Sequence, residues 1–296
     1  MQKLGIIISM NIQKIVCKAT MPEEIRYKKT LGVDGVEWQI LDKQNNYFVN
    51  YLGMPIYSVH TKLGQGIDVC VDNITENFSH SKEMTAFTKD EIEKTFKLCE
   101  DLSQRQGFPV KMVVHMKSGT FMEKRVLEEY YGPLFKEYPS VDLCIENVML
   151  TTRGEVRSGV LPDNVPNFIK YFREVFNGEY DNRIHSVLDI CHATSVIRML
   201  NSLYGQDKQY KEDEEIELYF KKFADTCAIV HFNFLRDFGL EPNHGTSMTD
   251  AEFKMCYGTY LKYTPEAELV IEMREYNYHD CINLRKTVKQ IRGYTP

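Results

Sequence analysis

The chain has 296 residues, 43% of them hydrophobic and 26% charged, with a formal net charge of −6 and a pI near 5.8. That balance is too apolar for a disordered chain and too acidic for a protein coated in basic surface, although it leaves room for a locally positive cleft. The length suits two average domains or one barrel-sized domain, and eight scattered cysteines without a CxxC pair suit free thiols in a reducing cytoplasm.

Along the chain, short β-rich runs alternate with amphipathic stretches. The predicted strands fall at 3–9, 34–40, 55–60, 109–115, 141–146, 185–190, 228–233 and 268–273. Most are nearly continuous apolar runs, as expected of strands buried on both faces. Thr88 with Glu91, and Thr249 with Glu252, read as capping boxes that open helices, the first running through Gln106. Asp163 precedes a helical run over 167–176, and 205–215 is a polar stretch between helices. The apolar run LGIIIS is too short for a signal-peptide core, and no stretch approaches the roughly 20 apolar residues of a membrane span, so a soluble, cytoplasmic protein without a membrane partner is predicted. No repeat, linker or low-complexity tract divides residues 1–296. An unbroken series of eight strand-plus-helix units predicts one α/β domain, a (β/α)8 TIM barrel. An open doubly wound sheet would instead carry a glycine-rich phosphate loop after its first strand, where this chain has SMNIQK.

In a barrel, reactive groups project from the C-terminal ends of the strands. Here six predicted strand ends carry metal-type ligands: His60, His115, Glu146, Asp189, His231 and Glu272. His192 follows Asp189 by three residues, and His244 lies in the loop after the seventh strand. One such residue alone reads as an ordinary satisfied polar group. Eight converging on one partly dry cleft need a positive partner, and imidazole with carboxylate but no thiolate suits zinc, manganese or iron.

These motifs resemble the xylose-isomerase-like barrels, and within them the endonuclease IV family. The resemblance is carried by VHTKLG at 59–64, VHMKSG at 114–119, IEN at 145–147, LDICHA at 188–193, HFN at 231–233 and IEM at 271–273. It implies two or three Zn2+ ions, with Mn2+ as an alternative. His60 and His115 would hold one ion and share Glu146 with a second. Asp189, His231 and Glu272 would complete the second, and His192 with His244 would hold the third. The family places an aspartate two residues before the loop histidine. This chain has Pro242 there, between Glu241 and Asn243, and its FLRDFGLEPNHG and IIISMN segments replace the loops with which the nuclease grips DNA.

Two chemistries fit these ligands. The first is metal-dependent phosphodiester hydrolysis, with DNA bearing an abasic site or a smaller phosphodiester as substrate. Clustered ions would lower the pKa of a bridging water, Glu146 would bridge them and Glu272 would orient the nucleophile. Lys62, Lys117, Arg153, Arg157, Arg236 and Arg274 lie in predicted loops as candidate anion contacts. The second, implied by the resemblance to related barrels of the same superfamily, is isomerisation or epimerisation of a small sugar or sugar phosphate on a single ion held by Glu146, Asp189, His231 and Glu272. The two glutamates would exchange a proton beside the sugar carbonyl, with His192 on a hydroxyl and Trp38 stacking on the ring. The surplus of His60, His115 and His244 tilts the expectation toward the hydrolase. The aromatic-rich helical stretches read as packing, and no basic, aromatic-interleaved patch of the kind that binds nucleic acid stands out.

Overall fold

The computed structural model describes residues 14–41, 53–62, 67–71, 82–117, 122–149, 159–205, 209–235, 245–275 and 277–295. Eight parallel strands close into one barrel in chain order, each hydrogen-bonded to its neighbours and the last to the first. They are β1 Ile15–Ala19, β2 Gly35–Gln39, β3 Ile56–His60, β4 Val110–His115, β5 Val141–Glu146, β6 Ile184–Asp189, β7 Cys227–His231 and β8 Glu268–Ile271. Eight α-helices are seen among the described residues: α1 Pro22–Lys29, α2 Lys82–Gln106, α3 Lys124–Glu137, α4 Asn164–Val175, α5 Ile190–Tyr204, α6 Glu212–Phe223, α7 Asp250–Tyr263 and α8 Ile282–Arg292. This is the TIM barrel that the alternating pattern predicts.

The first strand differs from the sequence expectation. It is IVCKA at Ile15–Ala19, whereas the predicted run 3–9 and its SMNIQK sequel up to residue 13 lie outside the described residues. Asp34 ties the start of β1 in place, since its carboxylate accepts the Ile15 N–H at 2.8 Å and also meets Arg292 at 3.1 Å. Pro22 then sits in the first turn of α1, where its missing N–H costs nothing, with Glu23 and Glu24 at the positive end of the helix dipole. The predicted capping box at Thr249 is present, with its hydroxyl accepting from Glu252 N–H and Glu252 accepting from Thr249 N–H at 2.7 Å. Thr88, by contrast, lies inside α2, which begins at Lys82.

Strand periodicity sorts side chains between the lumen and the outer layer. Val16, Val113, Cys144, Val187, Ile229 and Val270, one from each of six strands, pack together as a buried apolar layer inside the barrel. Two residues further along the same strands, and therefore on the same face, stand Lys18, His115, Glu146, Asp189, His231 and Glu272. Two residues back stand Lys14, Lys111, Asp142, His185, Cys227 and Glu268, with Lys111 and Glu268 paired at 2.8 Å. The lumen is thus a charged floor, an apolar middle and a polar top, the three-layer filling typical of this architecture. The larger core lies outside the strands, between sheet and helices, and includes Trp38, Phe96, Phe135, Phe172 and Tyr260. All eight cysteines are free thiols, and no helix among the described residues is long and apolar enough to cross a membrane.

Candidate metal centre

Every strand contributes a polar side chain to the top layer of the lumen. His60, His115, Glu146, Asp189 and His231 close their strands and Glu272 follows β8, while Lys18 and Glu37 belong to β1 and β2. Ladder register brings them together, since His115 pairs with Glu146 and Asp189 with His231. All are buried except Lys18, whose side chain is 22% exposed.

Glu146 is the hub. Its Oε2 lies 2.9 Å from His60 Nε2 and 3.2 Å from His115 Nε2, while its Oε1 lies 3.1 Å from His231 Nδ1. His231 Nδ1 also lies 3.7 Å from Asp189 Oδ2 and 3.6 Å from Glu272 Oε2. Two groups of donor atoms, His60–His115–Glu146 and Glu146–Asp189–His231, are each gathered within 4.8 Å. Glu272 is not gathered into either group, although its Oε2 stands 3.6 Å from the His231 nitrogen of the second.

Neighbouring groups orient these donors. His60 Nδ1–H donates to the Thr61 carbonyl at 2.8 Å, which leaves Nε2 facing Glu146. His192 Nδ1 bonds the Asn147 carbonyl at 2.7 Å, while its backbone N–H donates to Asp189 Oδ1 at 2.8 Å and so caps α5. Asn233 donates to Asp189 Oδ2 at 3.1 Å and to Glu272 Oε2 at 3.2 Å, and its own carbonyl oxygen accepts the Cys191 N–H. Glu37, fully buried, lies 3.2 Å from His231 Nε2 and accepts from the Ser58 hydroxyl at 2.7 Å. A carboxylate behind a ligating histidine fixes its tautomer and turns the other nitrogen toward the site. Lys18 forms an ion pair with Glu272.

The electrostatics follow from this packing. Burial alone would raise Glu146, yet the His115 and His231 imidazoles hold it well below the usual carboxylate range. Glu37 is likewise lowered against burial, chiefly by His231. Burial would lower His231, but Glu37 and Glu146 lift it well above the ordinary histidine value, and Glu146 does the same more mildly for His60. His115 is pushed well below its ordinary value by burial, which Glu146 only partly offsets. Burial would lower Lys18 too, yet Glu272 carries it above the ordinary lysine value. Four buried carboxylates around three imidazoles form an anionic, largely dry cup, and the donor groups could hold a metal ion.

The other sequence-predicted contacts divide. Arg274 lines a cavity beside Glu272. Lys117 is half-buried and close enough to His115 to influence its titration. Lys62 is corrected, because it is buried and paired with Glu91 of α2 at 3.7 Å instead of standing free for an anion. Trp38 is also corrected. Its neighbour Glu37 faces the lumen, so Trp38 points outward into the core and is 0% exposed, out of reach of a sugar ring. His244, Arg236, Arg153, Arg157, Glu241, Pro242 and Asn243 lie outside the described residues, and with them the proposed third-metal ligand and most of the loop after β7. Glu37, Lys18, Asn147 and Asn233 are the site residues that the sequence reading passed over.

No family model matches the chain, and no curated protein sequence matches it. Among solved structures it is similar to 3-keto-D-glucoside 4-epimerase from E. coli, with 14% identity and a TM-score of 0.55 over 95% of this chain and 99% of that one. It is similar to a D-tagatose 3-epimerase-like protein, with 13% identity and a TM-score of 0.57 over 95% and 98%. A D-psicose 3-epimerase from Clostridium cellulolyticum H10 aligns with 11% identity and a TM-score of 0.51 over 94% and 95%. These likenesses show a shared barrel fold.

Proposed function

We propose that the chain is a metal-dependent isomerase or epimerase of a small sugar. The observation that carries this reading is the convergence of Glu146, Asp189 and Glu272 on the single nitrogen His231 Nδ1, at 3.1, 3.7 and 3.6 Å. The epimerase names of the structures that share its barrel support the same reading. It displaces the hydrolase as the first expectation.

A divalent ion bound by these four residues supplies polarisation of the sugar's carbonyl and hydroxyl oxygens. Glu146 and Glu272 then act as the acid–base pair that removes a proton from the carbon beside the carbonyl and returns one to it. Lys18 keeps Glu272 oriented and compensates its charge. His192, with Nδ1 committed to Asn147, offers Nε2 to a substrate hydroxyl. The apolar layer beneath closes the lumen below the reacting groups. The test is proton exchange in D2O with ketoses and aldoses, using protein reloaded with Mn2+, Co2+, Mg2+ or Zn2+ and followed by proton NMR. Loss of the C–H signal beside the carbonyl, abolished in Glu146→Gln and Glu272→Gln, supports the proposal. Absence of exchange with every sugar removes it.

One observation favours a second reading. The His60–His115–Glu146 group is a further set of donors beside the first, and paired sites suit phosphodiester hydrolysis, in which two ions neutralise the phosphate. Two ions per chain, together with cleavage of bis(p-nitrophenyl) phosphate and no sugar exchange, would establish it instead.

A further inference from the structure

A cavity of about 440 Å³ opens beside the metal centre, between the start of α1 and the segment that follows β8. Lys18, Thr20, Lys28, Glu272, Arg274 and Tyr278 are on its wall. Lys18 and Glu272 belong to the top layer of the lumen as well, so the cavity adjoins the place where the reacting carbon would lie.

The charges on this wall are not equally engaged. Glu272 accepts from Lys18 and Asn233, and Glu24 from Thr20 and Lys28. Glu275, also on the wall, is committed to the start of α8, where it accepts the N–H groups of Asn283 and Leu284 at 3.2 and 2.6 Å. Both lysines are therefore paired and all three carboxylates are occupied. Arg274 stands apart. Its backbone is fixed, with its N–H donating to the Gly245 carbonyl at 2.8 Å. Its exposed guanidinium makes no hydrogen bond or ion pair among the described residues. A planar fork of five donors on an anchored backbone, at the edge of a cavity that already holds two ammonium groups, matches a carboxylate or phosphate better than a neutral hydroxyl.

We propose that this cavity receives an anionic group at the end of the sugar remote from the reacting carbon, and that Arg274 holds it. The substrate class is then a sugar phosphate or a sugar acid, and the inference rests on the isomerase reading given above. Lys18 adds favourable charge without leaving Glu272.

The test compares a neutral ketose, its terminal phosphate and the acid of the same chain length on metal-loaded wild type, Arg274→Gln and Arg274→Lys. Wild type is expected to favour one charged substrate over the neutral one by about ten- to a hundredfold in kcat/KM, the worth of a charge-assisted hydrogen bond. The preference collapses in Arg274→Gln and partly returns in Arg274→Lys. Which charged substrate is favoured tells phosphate from carboxylate. Equal use of all three substrates, or a preference that survives Arg274→Gln, overturns the inference while leaving the isomerase reading standing. A second measurement is independent of turnover, namely binding of inorganic phosphate and of acetate to metal-free protein by NMR. Arg274-dependent binding without any sugar turnover would keep the anion site and remove the isomerase. Binding of neither anion, or binding unchanged in Arg274→Gln, counts against the site.

Discussion

Replacing Glu37 by glutamine keeps its shape and removes its charge, which isolates what that carboxylate does for His231. Glu37 touches no substrate-side atom of the set, and its partners are His231 Nε2 at 3.2 Å and the Ser58 hydroxyl at 2.7 Å. A hydrogen bond to a charged group is worth about 1.5–3 kcal/mol. Outer carboxylates behind ligating histidines contribute about ten- to a hundredfold in metal affinity, or roughly 1.4–2.7 kcal/mol. The two figures agree, so Glu37→Gln is expected to weaken binding of Zn2+ or Mn2+ by about one to two orders of magnitude. Proton competition works the other way. Glu37 also holds His231 protonated in the metal-free protein, so its removal frees the imidazole for metal and masks part of the loss at neutral pH. The measurement therefore belongs on a pH series carried upward until the affinity levels off, by competition with a chromophoric chelator, with thermal midpoints of the metal-free and loaded proteins alongside. Affinity within twofold of wild type, with both forms destabilised equally, would refute the reasoning and reduce Glu37 to a packing residue.

Two further outcomes follow from the same geometry. His231 and His60 are raised in the metal-free protein and must lose protons to ligate, so affinity falls as pH drops below their folded pKa values and levels off above them. Calorimetry at pH 6.5 in buffers of different ionisation enthalpy is expected to show release of about one proton or more per ion, and a buffer-independent enthalpy would contradict this. Gly245 has φ +80°, and an added Cβ would lie 2.9 Å from both Glu272 O and Arg274 N. Gly245→Ala is expected to cost about 1–3 kcal/mol and to weaken metal binding through Glu272, whereas an unchanged thermal midpoint and affinity would show that the loop yields freely.

Most of the barrel was legible because strands buried on both faces read as nearly continuous apolar runs, as in CAIVH and ELVI. The convergence of His60, His115, Glu146, Asp189 and His231 was legible for a related reason, since a charged residue ending such a run has few structural uses. β1 was not, because Lys18 breaks a five-residue strand whose neighbour in sequence is the more apolar run 3–9. Glu37 was missed because it stands two residues before the end of GVEWQ, inside the strand and not at its tip. Once Glu37 is placed in the lumen, strict alternation sends Trp38 outward, so the two errors were one error of parity. Lys62 needed a contact with Glu91, 29 positions away on α2, which no local pattern reveals.

The apolar band of Val16, Val113, Cys144, Val187, Ile229 and Val270 holds two polar layers of the lumen apart as well as forming a core. At about 3.3 Å per residue, four residues of strand put roughly 13 Å between the Lys111–Glu268 pair below it and Glu146 above it. Substitutions that far apart with no shared partner usually add in their effects on stability. Changes to the floor and changes at the upper rim should therefore add in folding stability, each leaving the packing of the other layer in place. A barrel layered in this way can be redecorated at one end while the other keeps its packing.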